Sequence, residues 1–475
     1  MALAAGGRTW SFAELDAAAA RAARQLAGLG ARPGDRVATL LHNGPAPAVL
    51  AHAALRLGAT LVPLNVRLTA AELAWQLGDA APRLLVADDR TAALANEACG
   101  SAPSPVVVTA SALDDLPEHG TPLHHAHDAD AVLAILYTSG TTGRPKGAML
   151  TVGNVWWSAV GSALNLGTRP DDRWLACLPL FHVGGLSIVL RSAIYGTAAI
   201  VHDGFDAAAV NQAIDADGVT IVSVVAVMLQ RMLDARGDCP YPPSLRCVLL
   251  GGGPAPRPLL ERCAALGVPV VQTYGLTETA SQVATLAPED ALRKLGAAGR
   301  PLYPNMLRIA AGTRDAAPGE PGEILVRGPV VMAGYAGRPD ATARAVVDGW
   351  LHTGDVGHLD AEGYLHVLDR RDDLIVTGGE NVYPAEVEAA LLAHPWVAEA
   401  GVIGRPDGTW GQRVVAVVRL ADGVPDAGDV AETLRTHCRA HLAGYKVPRE
   451  VHVAAGPLPR TASGKLRRTE LRNGV

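Results

Sequence analysis

The chain has 475 residues, which at about 150 residues per domain is roughly three folding units and excludes a single small module. Hydrophobic residues make up 49% and charged residues 19%, a globular balance rather than a disordered one. Aromatics are only 4%, so Ala, Val and Leu must fill the core, and a net charge of -6 without a basic stripe gives no footprint for nucleic acid. In chain order, Ser11 and Glu14 have capping-box spacing ahead of an Ala-rich helix to Leu29. Gly34-Asp35 turns into the strand Arg36–Leu41, and Ala131–Tyr137 reads as a buried strand running into a Ser/Thr/Gly cluster. Val219–Val225, Leu245–Leu250 and Val268–Thr273 are β-rich runs, the second followed by three glycines, Pro254 and a helix to Ala265. This alternation argues for an α/β fold. Beyond the charged segment Asp369–Asp373 come a strand, Leu374–Thr377, a Gly-Gly turn and a helix, Pro384–His394. The β runs Val397–Ile403 and Val414–Leu420 and a helix Val430–Leu442 complete a small α+β unit, separable near Asp372. Val219–Leu229, the longest apolar stretch, is too short for a membrane span. Six cysteines without a C-x-x-C pair make no disulfide framework, and Met1–Trp10 has no apolar signal segment. The expectation is a soluble cytoplasmic enzyme.

The densest chemistry lies in Tyr137–Gly147, YTSGTTGRPKG. Hydroxyls and backbone N–H groups in such a loop can cradle phosphate oxygens, glycines permit close approach, and Lys146 brings a positive charge. It is not a Walker A loop, because Pro145 stands where that pattern needs glycine. Taken alone, such a Gly-rich loop is only a weak signal for phosphate against a flexible surface turn. His124, His125 and His127 lie in a polar loop and make a weak case for a metal, while Met228 and Met232 read as helix core. No G-x-S-x-G elbow supports a serine hydrolase.

YTSGTTGRPKG resembles the phosphate loop of the adenylate-forming superfamily, which holds acyl- and aryl-CoA ligases, peptide-synthetase adenylation domains and beetle luciferases. Further segments resemble family motifs in the family's order: Gly251–Pro254, Tyr274–Glu278, Thr353–Asp355, Arg370–Asp372 and Pro459–Lys465. Two positions depart from the pattern: Leu351-His352 stands where Tyr-Arg is commoner, and Asp369 replaces a glycine. By register, the chain starts about 20 residues inside many relatives. The resemblance implies a large N-terminal adenylation domain of mixed sheets and helices in several subdomains, residues 1–371, and a small mobile α+β domain, residues 372–475. It assigns nucleotide binding to Thr138, Ser139, Gly140, Thr141, Thr142, Lys146, Gly252, Gly253, Pro254, Thr273, Tyr274, Gly275, Thr277, Asp355 and Arg370. Catalysis falls to Lys465, His182 and Glu278, with Glu278 also ligating Mg²⁺. Asp372 takes the hinge, and Gly378 and Gly379 the CoA side. ATP, Mg²⁺ and coenzyme A are the implied cofactor and co-substrates. The chemistry of the residues agrees: Mg²⁺ prefers one or two carboxylates plus phosphate oxygens, and a mobile lysine suits charge developing at an α-phosphate.

Longer stretches, among them Leu180–Gly196, Leu245–Cys263, Gln272–Leu286 and Gly378–Ala390, resemble the 2-succinylbenzoate–CoA ligases of menaquinone biosynthesis. That acid is an aromatic dicarboxylate. One carboxylate is activated, so the other needs a fixed partner, for which Arg191 is the candidate against an outward-facing reading. His182 matches the family's pocket-gating position, and Ser223 is a further pocket candidate or a satisfied core hydroxyl. Three alternatives stay open: a CoA ligase for another aryl or fatty acid, an amino-acid-adenylating domain loading a carrier protein, and a non-catalytic nucleotide-binding protein. The small-molecule partners are a carboxylic acid, ATP and CoA. Neither nucleic acid nor a membrane is expected, and a homodimer is left open.

Overall fold

The computed structural model describes residues 1–100, 105–138, 144–252, 257–369, 375–382, 384–421, 424, 429–459, 466 and 468–474. Local signals set its elements. The Ser11 hydroxyl accepts from the Glu14 amide at 3.2 Å, and the Glu14 carboxylate accepts from the Ser11 amide at 2.8 Å. This is the capping box that the spacing predicts, and it starts the helix Phe12–Gly28. The chain divides into two compact units: residues 1–66, 77–136 and 147–368 form one, and residues 67–76, 137–146 and 369–475 the other.

In the first unit the central feature is a nine-stranded sheet. Its strands Leu3–Ala5, Ala198–Val201, Arg173–Ala176, Ile221–Val224, Cys247–Leu250 and Val270–Leu276 run parallel, neighbour to neighbour. Parallel strands covered on both faces need apolar residues at every position, which is why these segments read as continuous apolar runs. The pleat divides them between two cores. Trp174, Ala176, Cys247 and Leu249 face one, and Leu175, Val222, Val248 and Leu250 the other. A second sheet has parallel strands Thr60–Pro63, Arg36–Leu40, Leu84–Ala87 and Val106–Thr109. Ala and Leu do much of the packing throughout, as the composition requires.

The sequence reading placed no strand between Tyr274 and Asp369. Here the structure has an antiparallel sheet built on Met306–Ala311, Gly322–Arg327 and Trp350–Leu359. Its strands are half exposed and carry Arg308 and Arg327, so the apolar signal is diluted. Val219–Leu229 is divided between the strand Ile221–Val224 and the helix Ala226–Arg236. Among the described residues, no helix is long and apolar enough to cross a membrane.

In the second unit, Glu380–Val382, Ile375–Thr377, Gly411–Leu420 and Val397–Asp407 form a sheet, with Glu450–Val453 added parallel to Gly411–Leu420. The helices Pro384–Leu392 and Val430–His441 bury Val387, Leu391, Leu434 and Cys438 in a core with Val402 and Val418. The charged segment expected to mark the boundary falls largely outside the described residues.

Candidate functional site

Open parallel sheets bind ligands beyond the carboxyl ends of their strands. In the first unit, Gly251-Gly252 follows Cys247–Leu250, and Thr273, Tyr274 and Gly275 end the next strand. Gly252 has φ +79°, and a Cβ there would lie 2.9 Å from Val225 Cγ1. Gly275 admits no side chain, since a Cβ would stand 1.5 Å from the Ser281 carbonyl oxygen. That close approach lets Val270–Leu276 fold back on Ser281–Thr285, with a register shift between Tyr274 and Gly275. The Thr273 hydroxyl lies 2.8 Å from that of Thr285.

The hydroxyl of buried Tyr274 donates to Asp355 Oδ2 at 2.7 Å. Asp355 is 6% exposed, and its amide donates to the Thr353 hydroxyl at 3.1 Å. Glu323 holds the same turn, accepting from the Gly354 amide at 3.0 Å and lying 3.1 Å from His352 Nδ1. Glu278 sits on the 3-10 turn Thr277–Thr279, and Tyr335 donates its hydroxyl to Glu278 Oε1 at 2.9 Å. A carboxylate oriented on a half-buried turn suits Mg²⁺, which takes few protein ligands and completes its shell with phosphate oxygens and water. The turn ends at Ala280 and Ser281, with φ +50° and +98°. Non-glycine residues in this region are strained unless their surroundings fix them. The Ser158 hydroxyl supplies one such fixing contact, donating to the Ala280 carbonyl at 2.7 Å.

Arg191 joins that arrangement. Its Nη2 donates to the Ser158 hydroxyl and its Nη1 to Gln282 Oε1, both at 2.8 Å, and the guanidinium lies 5.9 Å from the Trp174 ring centroid. It is 1% exposed, Nε has no partner, and among the described residues its partners are Gln282 and Ser158 with no carboxylate. Burial lowers its pKa from the ordinary arginine value. Arg191 borders a cavity of about 10 Å³ lined by Leu136, Val183, Leu186, Ser187 and Ala280. His182 caps the helix that carries Arg191, Val183–Tyr195, and its ring meets Phe181 at 4.7 Å. Gly185 is required there, since a Cβ would lie 2.3 Å from the Pro179 carbonyl oxygen. Ser223 is buried in its strand, where its hydroxyl accepts from Trp174 Nε1 at 2.9 Å.

In the second unit, the Thr138 hydroxyl donates to the Lys146 carbonyl at 3.3 Å, and Lys146 opens the strand Lys146–Thr151. Trp75 packs edge-on against Tyr137 at 6.2 Å and carries the Arg144 guanidinium at 5.7 Å. Gly378 and Gly379, with φ +57° and +82°, form the two-residue turn between Thr377 and Glu380. Positive φ at both central residues is what such a hairpin demands. A Cβ on Gly378 would stand 2.7 Å from Trp410 Cε3. Ser139, Gly140, Thr141, Thr142, Gly253, Pro254, Arg370, Asp372 and Lys465 lie outside the described residues. Sequence reasoning missed Glu323, Tyr335, Ser158 and Gln282. Each is distant in sequence from the group it orients, and none has a local signature.

The description AMP-binding enzyme matches residues 1–336, and AMP-binding enzyme C-terminal domain matches residues 386–465. The chain is 53% identical over 473 residues to the 2-succinylbenzoate–CoA ligase of Geobacillus kaustophilus strain HTA426, covering 99% of this chain and 94% of that protein. It superposes with TM-score 0.93 and 43% identity on a double mutant of Bacillus subtilis o-succinylbenzoate CoA synthetase bound with its product analogue OSB-NCoA, covering 99% and 95% of the two chains. Against the same enzyme in complex with ATP and magnesium ion the TM-score is 0.76 at 44% identity, covering 99% and 96%. A family matched over most of the chain and relatives matched nearly end to end make one conclusion plain: the chain belongs to the AMP-binding enzyme family.

Proposed function

We infer that the protein is an AMP-forming acid–CoA ligase that converts 2-succinylbenzoate, ATP and CoA to 2-succinylbenzoyl-CoA, AMP and pyrophosphate. Identity of 53% over 99% of the chain to a 2-succinylbenzoate–CoA ligase supports this most directly. Within the fold, the observation that carries the choice of acid is Arg191, a fully buried cation without a carboxylate partner among the described residues. A buried guanidinium is costly unless an anion meets it, and a dicarboxylate leaves one carboxylate free to do so.

In the first half-reaction a carboxylate oxygen attacks the α-phosphorus and the bond to pyrophosphate breaks. Catalysis there is positioning and charge neutralisation. Asp355 accepts from the ribose hydroxyls, held by Tyr274, and Arg370 donates to the same sugar. Lys146 and the 138–143 loop take the phosphates, and Lys465 neutralises charge at the reacting oxygens. Mg²⁺ held by Glu278 would offset phosphate charge. In the second half-reaction the CoA sulfur bonds to the acyl carbon, the bond to AMP breaks, and the thiol proton passes to solvent. The Gly378–Gly379 turn, without side chains, lets pantetheine pass close to backbone. His182 gates the acyl pocket and Asp372 is the hinge between working domains 1–371 and 372–475. We place the protein in the cytoplasm, where its six free cysteines remain reduced.

Pyrophosphate release with a panel of acids tests this reading. Succinylbenzoate should be the preferred acid, with AMP and thioester appearing once CoA is added. Release with fatty or coumaric acids and none with succinylbenzoate would overturn the choice of acid.

A further inference from the structure

In the second unit, three segments far apart in the sequence meet on one ammonium group. Lys446 is 3% exposed and lies on the 3-10 turn Gly444–Lys446. Its Nζ donates to Glu72 Oε1 and to Glu386 Oε1, both at 2.8 Å. Both carboxylates are largely buried, their side chains 12% and 9% exposed. The second oxygen of Glu72 accepts from the Thr69 amide and hydroxyl, each at 2.9 Å, and so fixes the start of the helix Ala70–Ala80. Glu386 sits in the first turn of Pro384–Leu392, and its Oε2 is buried without a partner. Burial works against the Lys446 ammonium, yet Tyr445, Glu386 and Glu72 hold its pKa above the ordinary lysine value. Burial pushes the Glu386 carboxyl up, against the pull of Lys446. A second tie runs beside the first, because Arg67 pairs with Glu380, the residue directly after the Gly378–Gly379 turn. Residues 67–76 are therefore fastened at one point beside that turn and at another to the helix and the 3-10 turn that follow it.

Stability alone is a poor reason for such a cluster. Two carboxylates share one ammonium, one carboxylate oxygen is left bare, and well-packed apolar residues of similar volume usually do as well or better. What the cluster supplies is a fixed geometry between segments. We propose that Lys446 is a positioning residue for thioester formation, holding residues 67–76 through Glu72, and the helix after the CoA-side turn through Glu386, in the arrangement that admits the thiol. This rests on the assignment of Gly378–Gly379 to the CoA side.

The test compares two half-reactions in the full chain: acid-dependent exchange of pyrophosphate into ATP, and single-turnover transfer from preformed acyl-adenylate to CoA. Lys446→Met should lower kcat/KM for CoA by about tenfold or more, the value of one charge-assisted contact, with exchange within about twofold. Lys446→Arg, which keeps the positive charge and its donors between Glu72 and Glu386, should retain most of the transfer rate. Glu72→Gln, which keeps an acceptor for Thr69, should move the CoA step in the same direction by less. Equal losses in both half-reactions, or an unchanged CoA step, overturn the proposal. If Lys446→Met fails to fold, Glu72→Gln decides, and a CoA step that follows exchange overturns it. Should the unsubstituted protein exchange pyrophosphate only with another acid, the succinylbenzoate reading falls, and the ratio for Lys446 is measured with that acid.

Discussion

Replacing Arg191 by methionine removes a buried charge at nearly constant volume, and the consequences for activity and stability point in different directions. A charge-assisted hydrogen bond to a carboxylate is worth about 1.5–3 kcal/mol. At 1.4 kcal/mol per tenfold, kcat/KM for succinylbenzoate should fall roughly 10- to 150-fold. An aromatic monocarboxylate that the unsubstituted enzyme accepts has nothing to lose at that position and should change by less than about threefold. The folded state loses two 2.8 Å contacts, to Gln282 and Ser158. Ser158 keeps its bond to the Ala280 carbonyl, while Gln282 Oε1 is left without its donor at a cost of about 1–3 kcal/mol. Against that, replacing buried ionic groups by well-packed apolar residues of similar volume is often neutral or stabilising by about 1–4 kcal/mol. The balance is close to zero, so melting temperature should hold within a few degrees. The assays are acid-dependent pyrophosphate release with both acids and thermal melting of the same preparations. Equal loss on both acids would refute the reasoning, since Arg191 would then act only as a support for the turn behind Glu278.

The remaining predictions concern other contacts. Tyr274→Phe strips Asp355 of a 2.7 Å hydrogen bond in a buried site, so KM for ATP should rise about tenfold while KM for the acid stays put, both read by initial rates. Gly378→Ala puts a Cβ at φ +57° and 2.7 Å from Trp410. Single-turnover transfer to CoA should fall at least about tenfold in that variant, with pyrophosphate exchange nearly intact. Asp172 accepts from Arg246 at 2.7 and 2.6 Å, with side chains 5% and 11% exposed. Burial opposes its ionised form, but Arg246, the Arg169 amide and Thr220 outweigh burial and hold the carboxyl below its usual 3.8. The stabilisation is therefore complete above that value and disappears as pH falls through the lower folded one. Asp172→Asn should cost about 3–5 kcal/mol at neutral pH and progressively less towards pH 3 in denaturant titrations.

What the sequence could disclose depended on whether the signal was local. The Thr353–Asp355 turn and the Gly378–Gly379 hairpin are contiguous strings whose backbone demands fall on the same residues that we propose for the chemistry. Ser11 and Glu14 were readable for the same reason. Arg191 was not, because Gly185–Ser192 are all buried and the helix has no polar stripe there from which to read a facing. The supports of the site were also hidden. Glu323 and Tyr335 act on Gly354 and Glu278 from 31 and 57 residues away, and no local pattern encodes such a pairing. The antiparallel sheet around Met306–Leu359 was missed because half-exposed strands give a weak apolar signal.

The scarcity of aromatics gains a physical meaning at the site. The chain holds eight Trp and nine Tyr against three Phe, so what is missing is aromatic bulk without a polar tip. Cores need only volume, and Ala, Leu and Val supply it here. Orientation needs a rigid ring with a donor at its end, which an aliphatic residue cannot replace. Tyr274 aims at Asp355, Tyr335 at Glu278, and Trp174 fixes Ser223 while it flanks Arg191. The two tyrosines each act, through a single donor, on a position that the family resemblance marks as a site candidate. Tyr or Trp would be hard to replace at these three positions, whereas other aromatic positions should tolerate Leu or Met far more readily, and a saturation scan scored separately for folding and for acyl transfer would show the contrast.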